Sequence, residues 1–536
     1  MALAPVPGTL AAQPAPPPPS ITPFPPESPE WWLTRLLQQL EGRAPSMRIW
    51  DDYYEGKQPL AFASDKFREA FGSRFPAFTS NFCSLVVEGM ADRLEVQGFR
   101  FSDPQGDEDV WEIWQANDMD AGSQQAHLEA LIKGTAYALV EPNGEDIPRI
   151  TVEDPLDAIL DCDPRDARNR RAGLKRWLED DGRLVCVVYL PDGIYKYRTK
   201  ARWEGDLQRW WLQPGHSADT YMHERLWIAA GFEPYQPTGD ATWPLRNPLG
   251  VVPLIALPNR PRLKLYGQSE VAVVRSNQDA VNKYRTDALI ASEFAAFPQR
   301  YLLNFEPETD ESTGRAKEPF RAAIDRLWVV PPPDPDIEGA PEPKFGQFDA
   351  ANLEPYQHMI ALEVGHMAAI SRLPYHYLLG TPQTVPPSGE SLKASEAGLE
   401  HKIARTEVFL GHGYEELMRV CLRARSDERA SQRDAETIWH DSETRNEAVR
   451  TDSIVKLHAE GIIDDELAWE LGGLSPQQVR RLQDRRKAAA EAEAKAASEA
   501  AAAPAAETPG APATVVPAPT GTRMGSGAVV PSASQG

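Results

Sequence analysis

The chain has 536 residues, 41% of them hydrophobic, and a formal charge of −23 at pH 7, so its length predicts about three or four domains with real cores. Such acidity argues against a protein that grips nucleic acid by neutralising phosphates, because those binders are usually basic and draw affinity from counterion release. It fits either a highly soluble surface or a passage along which DNA moves without sticking.

The prolines crowd the first thirty residues (Pro14, Pro16 to Pro19, Pro23, Pro25, Pro26) and return near the end, so 1–27 and 487–536 are expected to be disordered. Order begins at Ser28-Pro29-Glu30, an N-cap, a proline at the first helical position and an acidic first turn. Trp32, Leu33, Leu36, Leu37 and Leu40 give one apolar helical face, ended by Gly42; a second piece with Ile49, Tyr53 and Tyr54 stops at Gly56. A helix over 81–94, a strand over 96–101 and a helix near 119–133 follow. Strands are expected at 135–140 and 149–152 around Pro142-Asn143-Gly144, then at 184–189 and 194–197 around Pro191-Asp192-Gly193. Residues 28–255 therefore read as one mixed α+β region.

The texture then changes. Residues 268–297 form a long helix with Val274, Val281, Ala288 and Ala295 seven apart, weakened by Asn277; this pattern predicts packing against another long helix, including one from a neighbouring subunit. A compact excursion over 299–343 holds a strand at 300–305, a polar loop at 306–317 and an apolar stretch at 327–330. A second long helix spans 353–372 with Tyr356, Ile360, Glu363, Val364 and Met367 on one side, and Pro374 breaks it. The Pro- and Gly-rich stretch 380–389 fits neither helix nor strand. A third long helix, about 390–425, buries Leu392, Leu399, Ile403, Leu410, Tyr414, Leu417 and Cys421. Short helices follow at 446–460, 464–471 and from Ser475.

Little of this carries chemistry. Cys83, Cys162, Cys186 and Cys421 stand far apart without metal spacing, as reduced thiols of a cytosolic protein would. No secretory signal is expected, and no run approaches the roughly 20 apolar residues of a membrane span. No P-loop, GxSxG or GxGxxG is present, so no cofactor and no enzymatic activity are expected. Asp161-Cys162-Asp163 has the spacing of a metal-binding Asp-x-Asp pair, but such pairs are common in turns and Pro164 follows. His358 and His366 lack a third ligand and read as helix-surface or packing residues, and His412, between Gly411 and Gly413, invites no assignment. No metal site is expected. Arg480, Arg481, Arg485 and Arg486 form the one basic patch that could touch DNA; a solvated helix face is the plainer reading.

The order and spacing of several pieces resemble the phage portal proteins of the Gp6-like type. These pieces are Tyr53-Tyr54-Glu55-Gly56, Lys133-Gly134-Thr135-Ala136-Tyr137 with Glu153-Asp154-Pro155, Gly267-Gln268-Ser269-Glu270-Val271, Asp279-Ala280-Val281-Asn282-Lys283 and Ser388-Gly389-Glu390-Ser391-Leu392-Lys393. The resemblance implies an α+β, elongated portal-type subunit: wing 28–255, stem helix 256–297, β-containing clip 298–350, second stem helix 351–379, tunnel loop 380–389, long wing helix 390–436 and crown helices 437–486. It implies a homo-oligomeric ring, usually of about twelve subunits, at the capsid vertex of a virion assembled in the host cytoplasm. Double-stranded DNA would pass through it without being read. The terminase large subunit, a head-completion or adaptor protein, and the major capsid or scaffolding protein are the implied partners.

In that picture Gly380, Thr381, Gln383, Thr384, Val385, Ser388 and Gly389 line the channel. The stretch carries no charge, so a ring of such loops would follow DNA without holding it; a surface linker is the alternative reading of the same residues. Competing functions are a metal-dependent transferase using Asp161 and Asp163, or another ring-forming phage structural protein.

Overall fold

Helix α1 (Pro29–Tyr54) starts where its sequence demands, with the Ser28 hydroxyl accepting the Trp31 N–H at 3.2 Å. The computed structural model describes residues 24–58, 80–101, 106–142, 146–200, 231–237, 240, 242–263, 266–296, 300–304, 344–347, 352–379, 389–441 and 447–502. Contrary to the expected break, α1 runs straight through Gly42 and Pro45. Ala44, Met47 and Tyr53 are buried beyond Gly42, and burial on both sides outweighs a glycine penalty of about 1 kcal/mol.

Helix α2 (Phe82–Ala91) leads through strand β1 (Val96–Arg100) to helices α3 (Glu108–Ala116) and α4 (Met119–Lys133). Strands β2 (Thr135–Glu141), β3 (Arg149–Glu153), β4 (Ala158–Asp163), β5 (Asp166–Leu178), β6 (Leu184–Tyr189), β7 (Gly193–Thr199), β8 (Phe232–Pro234), β9 (Leu245–Arg246) and β10 (Leu254–Pro258) follow. They make an antiparallel sheet ordered β4-β5-β6-β7-β8, with β9 also on β7, and a second ordered β10-β2-β3.

The period of two explains how these layers stack. Leu184, Cys186 and Val188 of β6 meet the Trp32, Leu33, Leu36, Leu37 and Leu40 face of α1. Val185, Val187 and Tyr189 meet Tyr137 and Leu139 of β2 and Leu254 of β10. The other face of β2, Ala136, Ala138 and Val140, joins the largest core, built with the helices. Strand β6 is apolar throughout because it is covered on both faces. Each buried aliphatic or aromatic side chain of α1 contributes about 2 kcal/mol. Trp243, unassigned from sequence, packs edge-on against Tyr195 and Tyr197, and its indole donates to the Lys196 carbonyl at 2.8 Å. Residues 201–230 lie outside the described residues.

Helix α5 (Glu270–Ala296) packs against helix α6 (Glu354–Ser371). The heptad residues Val274 and Val281 of α5 are fully buried within the chain, in one cluster with Val86, Val364 and Met367. Val274 and Val281 of the heptad face are thus filled from within the chain. The opposite face of α6 is the uncovered one: Met359, Leu362 and Ile370 are 41%, 58% and 50% exposed. Between the two helices, strand β11 (Arg300–Leu303) pairs antiparallel with β12 (Lys344–Gln347), Arg300 opposite Gln347 and Leu303 opposite Lys344. The polar loop 306–317 and the apolar stretch 327–330 lie outside the described residues.

After the short helix α7 (Tyr375–Leu378), the long helix α8 (Gly389–Ala424) buries Leu399, Ile403, Leu410, Tyr414, Leu417 and Cys421 as its periodicity requires. Strand β13 (Glu436–Trp439) then returns to β1, with Val96 opposite Trp439 and Arg100 opposite Glu436. Helices α9 (Glu447–Ala459), α10 (Asp465–Leu471) and α11 (Pro476–Ala502) close the described chain. The contacts divide the chain into a unit ending at Val479 and a second beginning at Arg480. The described part of the second unit is the remainder of α11. Among the described residues no helix is long and apolar enough to cross a membrane.

Candidate functional site

Of the residues expected to line a channel, Gly380, Thr381, Gln383, Thr384, Val385 and Ser388 lie outside the described residues, while Gly389 is the first residue of α8. The flanks of 380–388 are described, and two polar knots join them. In the first, an Arg93 guanidinium nitrogen donates to the Tyr377 hydroxyl at 2.6 Å, and that hydroxyl donates to Glu396 Oε1 at 3.0 Å. The same guanidinium lies 3.7 Å from Glu396 Oε2. Tyr377 precedes the segment and Glu396 follows it; Arg93 comes from the turn after α2.

The second knot is deeper. Lys402 Nζ sits 2.5 Å from Glu270 Oε2 and donates to the Ser371 carbonyl at 2.7 Å, with the two side chains 3% and 0% exposed. Arg260 pairs with Glu270 Oε1, which also accepts from Asn259 Nδ2 at 2.8 Å. Burial alone would raise the Glu270 pKa, but the Lys402 and Arg260 charges outweigh it and hold the carboxyl below its usual range. Burial holds the Lys402 pKa below its usual value; Glu270 raises it, and the Arg260 and Arg372 charges lower it further. One carboxylate facing two cations stays ionised. Ser371 ends α6, Lys402 lies on α8 and Glu270 opens α5, so three helices meet at one charge cluster.

None of these knot residues was singled out from sequence, though a lone lysine beside Ile403 on the buried face of α8 is a sign that could have been read. The Gly411-His412-Gly413 triplet also has its explanation here. A Cβ on Gly413 would lie 2.6 Å from Leu257 and 3.0 Å from the Ala256 carbonyl, so the glycine lets α8 approach β10 closely. His412 points outward, 71% exposed.

Asp161 is not a turn residue: it lies within β4, and its Oδ1 accepts from Arg171 at 2.5 and 3.0 Å while Oδ2 lies 3.5 Å from Arg35. Turn chemistry is found at Asp163 alone, which accepts the Arg165 N–H at 2.8 Å. Two guanidiniums occupy the space where a divalent cation would have to approach Asp161, which argues against the transferase reading. Asp161→Asn is expected to cost about 1–3 kcal/mol through its unpaired arginines, read as a lower thermal midpoint, and to leave oligomer mass unchanged. His358 and His366 are exposed on α6, the latter 3.7 Å from Glu363. Among the described residues no three His, Cys, Asp or Glu side chains converge as a metal site.

Cys83, Cys186 and Cys421 are buried and Cys162 half-buried. Burial pushes the Cys83 and Cys186 thiols up to about 12, which keeps them protonated and unreactive. On α11, Arg481, Arg485 and Arg486 are exposed and Arg480 is half-buried.

The phage portal protein family described as SPP1 Gp6-like matches residues 33–492. The portal protein of Mycobacterium phage D29 is 27% identical over 469 residues, covering 82% of this chain and 85% of its own length. The portal protein of Mycobacterium phage L5 is 28% identical over 396 residues, covering 70% and 72%. A chain from the solved neck of an empty gene transfer agent particle aligns with a TM-score of 0.39 at 12% identity, over 78% of this chain and 95% of that one. With the family matched across nearly all of its described residues, the chain belongs to the SPP1 Gp6-like phage portal proteins, a structural rather than an enzymatic family.

Proposed function

We propose that copies of this chain close into a ring of about twelve subunits at the capsid vertex, through which double-stranded DNA is packaged and later ejected. The observation that carries this reading is the family match over 33–492. In this assignment residues 28–255 form the wing, α5 and α6 the stem, 298–350 the clip and 437–486 the crown. Residues 380–389 reach the channel as a tunnel loop, with Thr381, Gln383, Thr384, Val385 and Ser388 offering weak, uncharged contacts.

The outer stripe of α6 supports the ring: Met359, Leu362 and Ile370 leave an apolar face that a neighbouring copy would bury. The −23 charge supports a lumen that does not retain DNA, and Arg480, Arg481, Arg485 and Arg486 would contact the genome only at the crown. The terminase large subunit and later an adaptor protein dock on the clip, the capsid or scaffolding protein surrounds the wing, and assembly takes place in the host cytoplasm before the ring enters the virion.

Native mass spectrometry with negative-stain imaging tests the ring: a closed assembly with an open centre is expected, and a monomer at high concentration would overturn it. Replacing 380–388 by a Gly/Ser linker is expected to leave that mass unchanged and to reduce packaged DNA. Wild-type packaging by this variant would remove the loop from the mechanism.

A further inference from the structure

The two knots share a pattern that the fold alone does not require. Each ties a group before residue 380 to a group after residue 388, and each adds a third element from elsewhere: Arg93 in one, Glu270 at the start of α5 in the other. We propose that Arg93, Tyr377, Glu396, Glu270 and Lys402 are positioning residues that hold both ends of the 380–388 segment at a fixed separation and orientation. The proposal rests on the portal reading, in which that segment faces DNA.

Buried ion pairs are a poor way to gain stability, since well-packed apolar residues of the same volume often do as well or better. What they supply is geometry. A lysine between one carboxylate and one carbonyl, or a tyrosine hydroxyl between a guanidinium and a carboxylate, is satisfied in one arrangement and orphaned in most others. One such tie leaves the two flanks free to pivot about it; two ties at different depths remove the pivot. Because Glu270, Glu396 and Lys402 are almost wholly buried, the ties are little screened by the salt that accompanies packaged DNA. A load on 380–388 is then passed to α8, α5 and the turn after α2 together, instead of being absorbed by movement of one flank.

Full-length Glu270→Gln/Lys402→Met removes the second knot and leaves only Arg260, 15% exposed, without its carboxylate, while Arg93→Met/Glu396→Gln removes the first with no buried charge left unpaired. Hydrogen exchange over 371–379 and 389–402 is expected to quicken by about tenfold or more in each double variant, and packaged DNA per particle is expected to fall. Val188→Ala, a cavity in the core of β6, serves as the control: lowering the thermal midpoint to a similar degree, it is expected to leave both readouts unchanged. Unchanged exchange in the double variants overturns the clamp. Faster exchange with wild-type packaging overturns its role in the conduit, as does an equal packaging loss in Val188→Ala. A wild-type chain that forms no ring instead overturns the portal reading.

Discussion

Gly267→Ala is expected to prevent the full chain from folding, at a cost of more than about 4 kcal/mol, seen as loss of soluble protein or of a cooperative thermal transition. A Cβ at Gly267 would lie 1.7 Å from the Gly134 carbonyl oxygen, 2.7 Å from the Asn259 nitrogen and 2.9 Å from the Asn259 oxygen. All three are backbone atoms, so no side chain can swing aside. They are also bound in place: Asn259 N–H donates to the Gly134 carbonyl at 2.9 Å, Gln268 N–H to the Asn259 carbonyl at 2.8 Å, and Gly267 N–H to the Thr135 hydroxyl at 3.1 Å. Gly134 is constrained in turn, with a φ of +90° and a Cβ position 2.5 Å from the Gly267 carbonyl oxygen, so Gly134→Ala is expected to behave alike. Gly42→Ala provides the contrast. Nothing lies within 4 Å of its Cβ position, midway along α1, and the change is expected to stabilise by about 0.5–1 kcal/mol. A Gly267→Ala chain melting within a degree or so of wild type would show that the α4–β2 turn and the β10–α5 connection separate more readily than their hydrogen bonds imply.

That crossing shows where sequence reasoning stops. Gly134 and Gly267 stand in stretches that carry the family resemblance, yet nothing local says that the two backbones touch. The long apolar stripes were legible because a period of 3.6 or 2 is a local property: the faces of α1 and α8 and the unbroken apolar run of β6 all lie where the pattern puts them. Strand β5 was not legible. Its first half, Asp166 to Arg171, is polar and largely exposed, and its pairing with β4 and β6 is set by partners rather than by its own alternation. The heptad of α5 was read as a packing face that includes a neighbouring subunit; Val274 and Val281 are filled from within the chain, and a heptad alone does not say which helix fills the rest. The pairings within the knots were out of reach for a similar reason: Arg93, Tyr377 and Glu396, like Glu270 and Lys402, are apart in the chain, and except for Lys402 on the buried face of α8 each looks like an ordinary surface residue until the fold brings them together. The punctuation of 380–389 was plain, whereas the channel role proposed for it rests on the family and not on its residues.

The second large effect is expected from His127, and it appears only as a dependence on pH. The imidazole is wholly buried, with the Tyr414 ring 5.6 Å and the Trp439 ring 5.7 Å away. Burial lowers its pKa from the usual 6.5 to about 3. Between those values the unfolded chain binds a proton that the folded chain refuses, so this contribution is complete above pH 6.5 and lost as pH falls towards 3. At 1.36 kcal/mol per unit the loss is about 3 kcal/mol by pH 4. Glu407 works in the opposite sense. Burial, then Asp441, raises its carboxyl from 4.5 to about 7, so its contribution is complete below pH 4.5 and lost as pH rises through 7. It is worth about 2 kcal/mol once partial exposure is discounted. Between pH 4.5 and 6.5 the two slopes largely cancel, and below 4.5 the histidine acts alone. Urea unfolding from pH 7 to 4 separates them. Relative to wild type, His127→Leu is expected to recover about 3 kcal/mol over that range. In Glu407→Gln the fall in stability is expected to begin already near pH 6.5 instead of being masked down to 4.5. Parallel curves for wild type and His127→Leu would mean that the buried imidazole takes up its proton without unfolding. The Tyr414 and Trp439 rings that flank the imidazole would then have to admit water while the surrounding core stays packed.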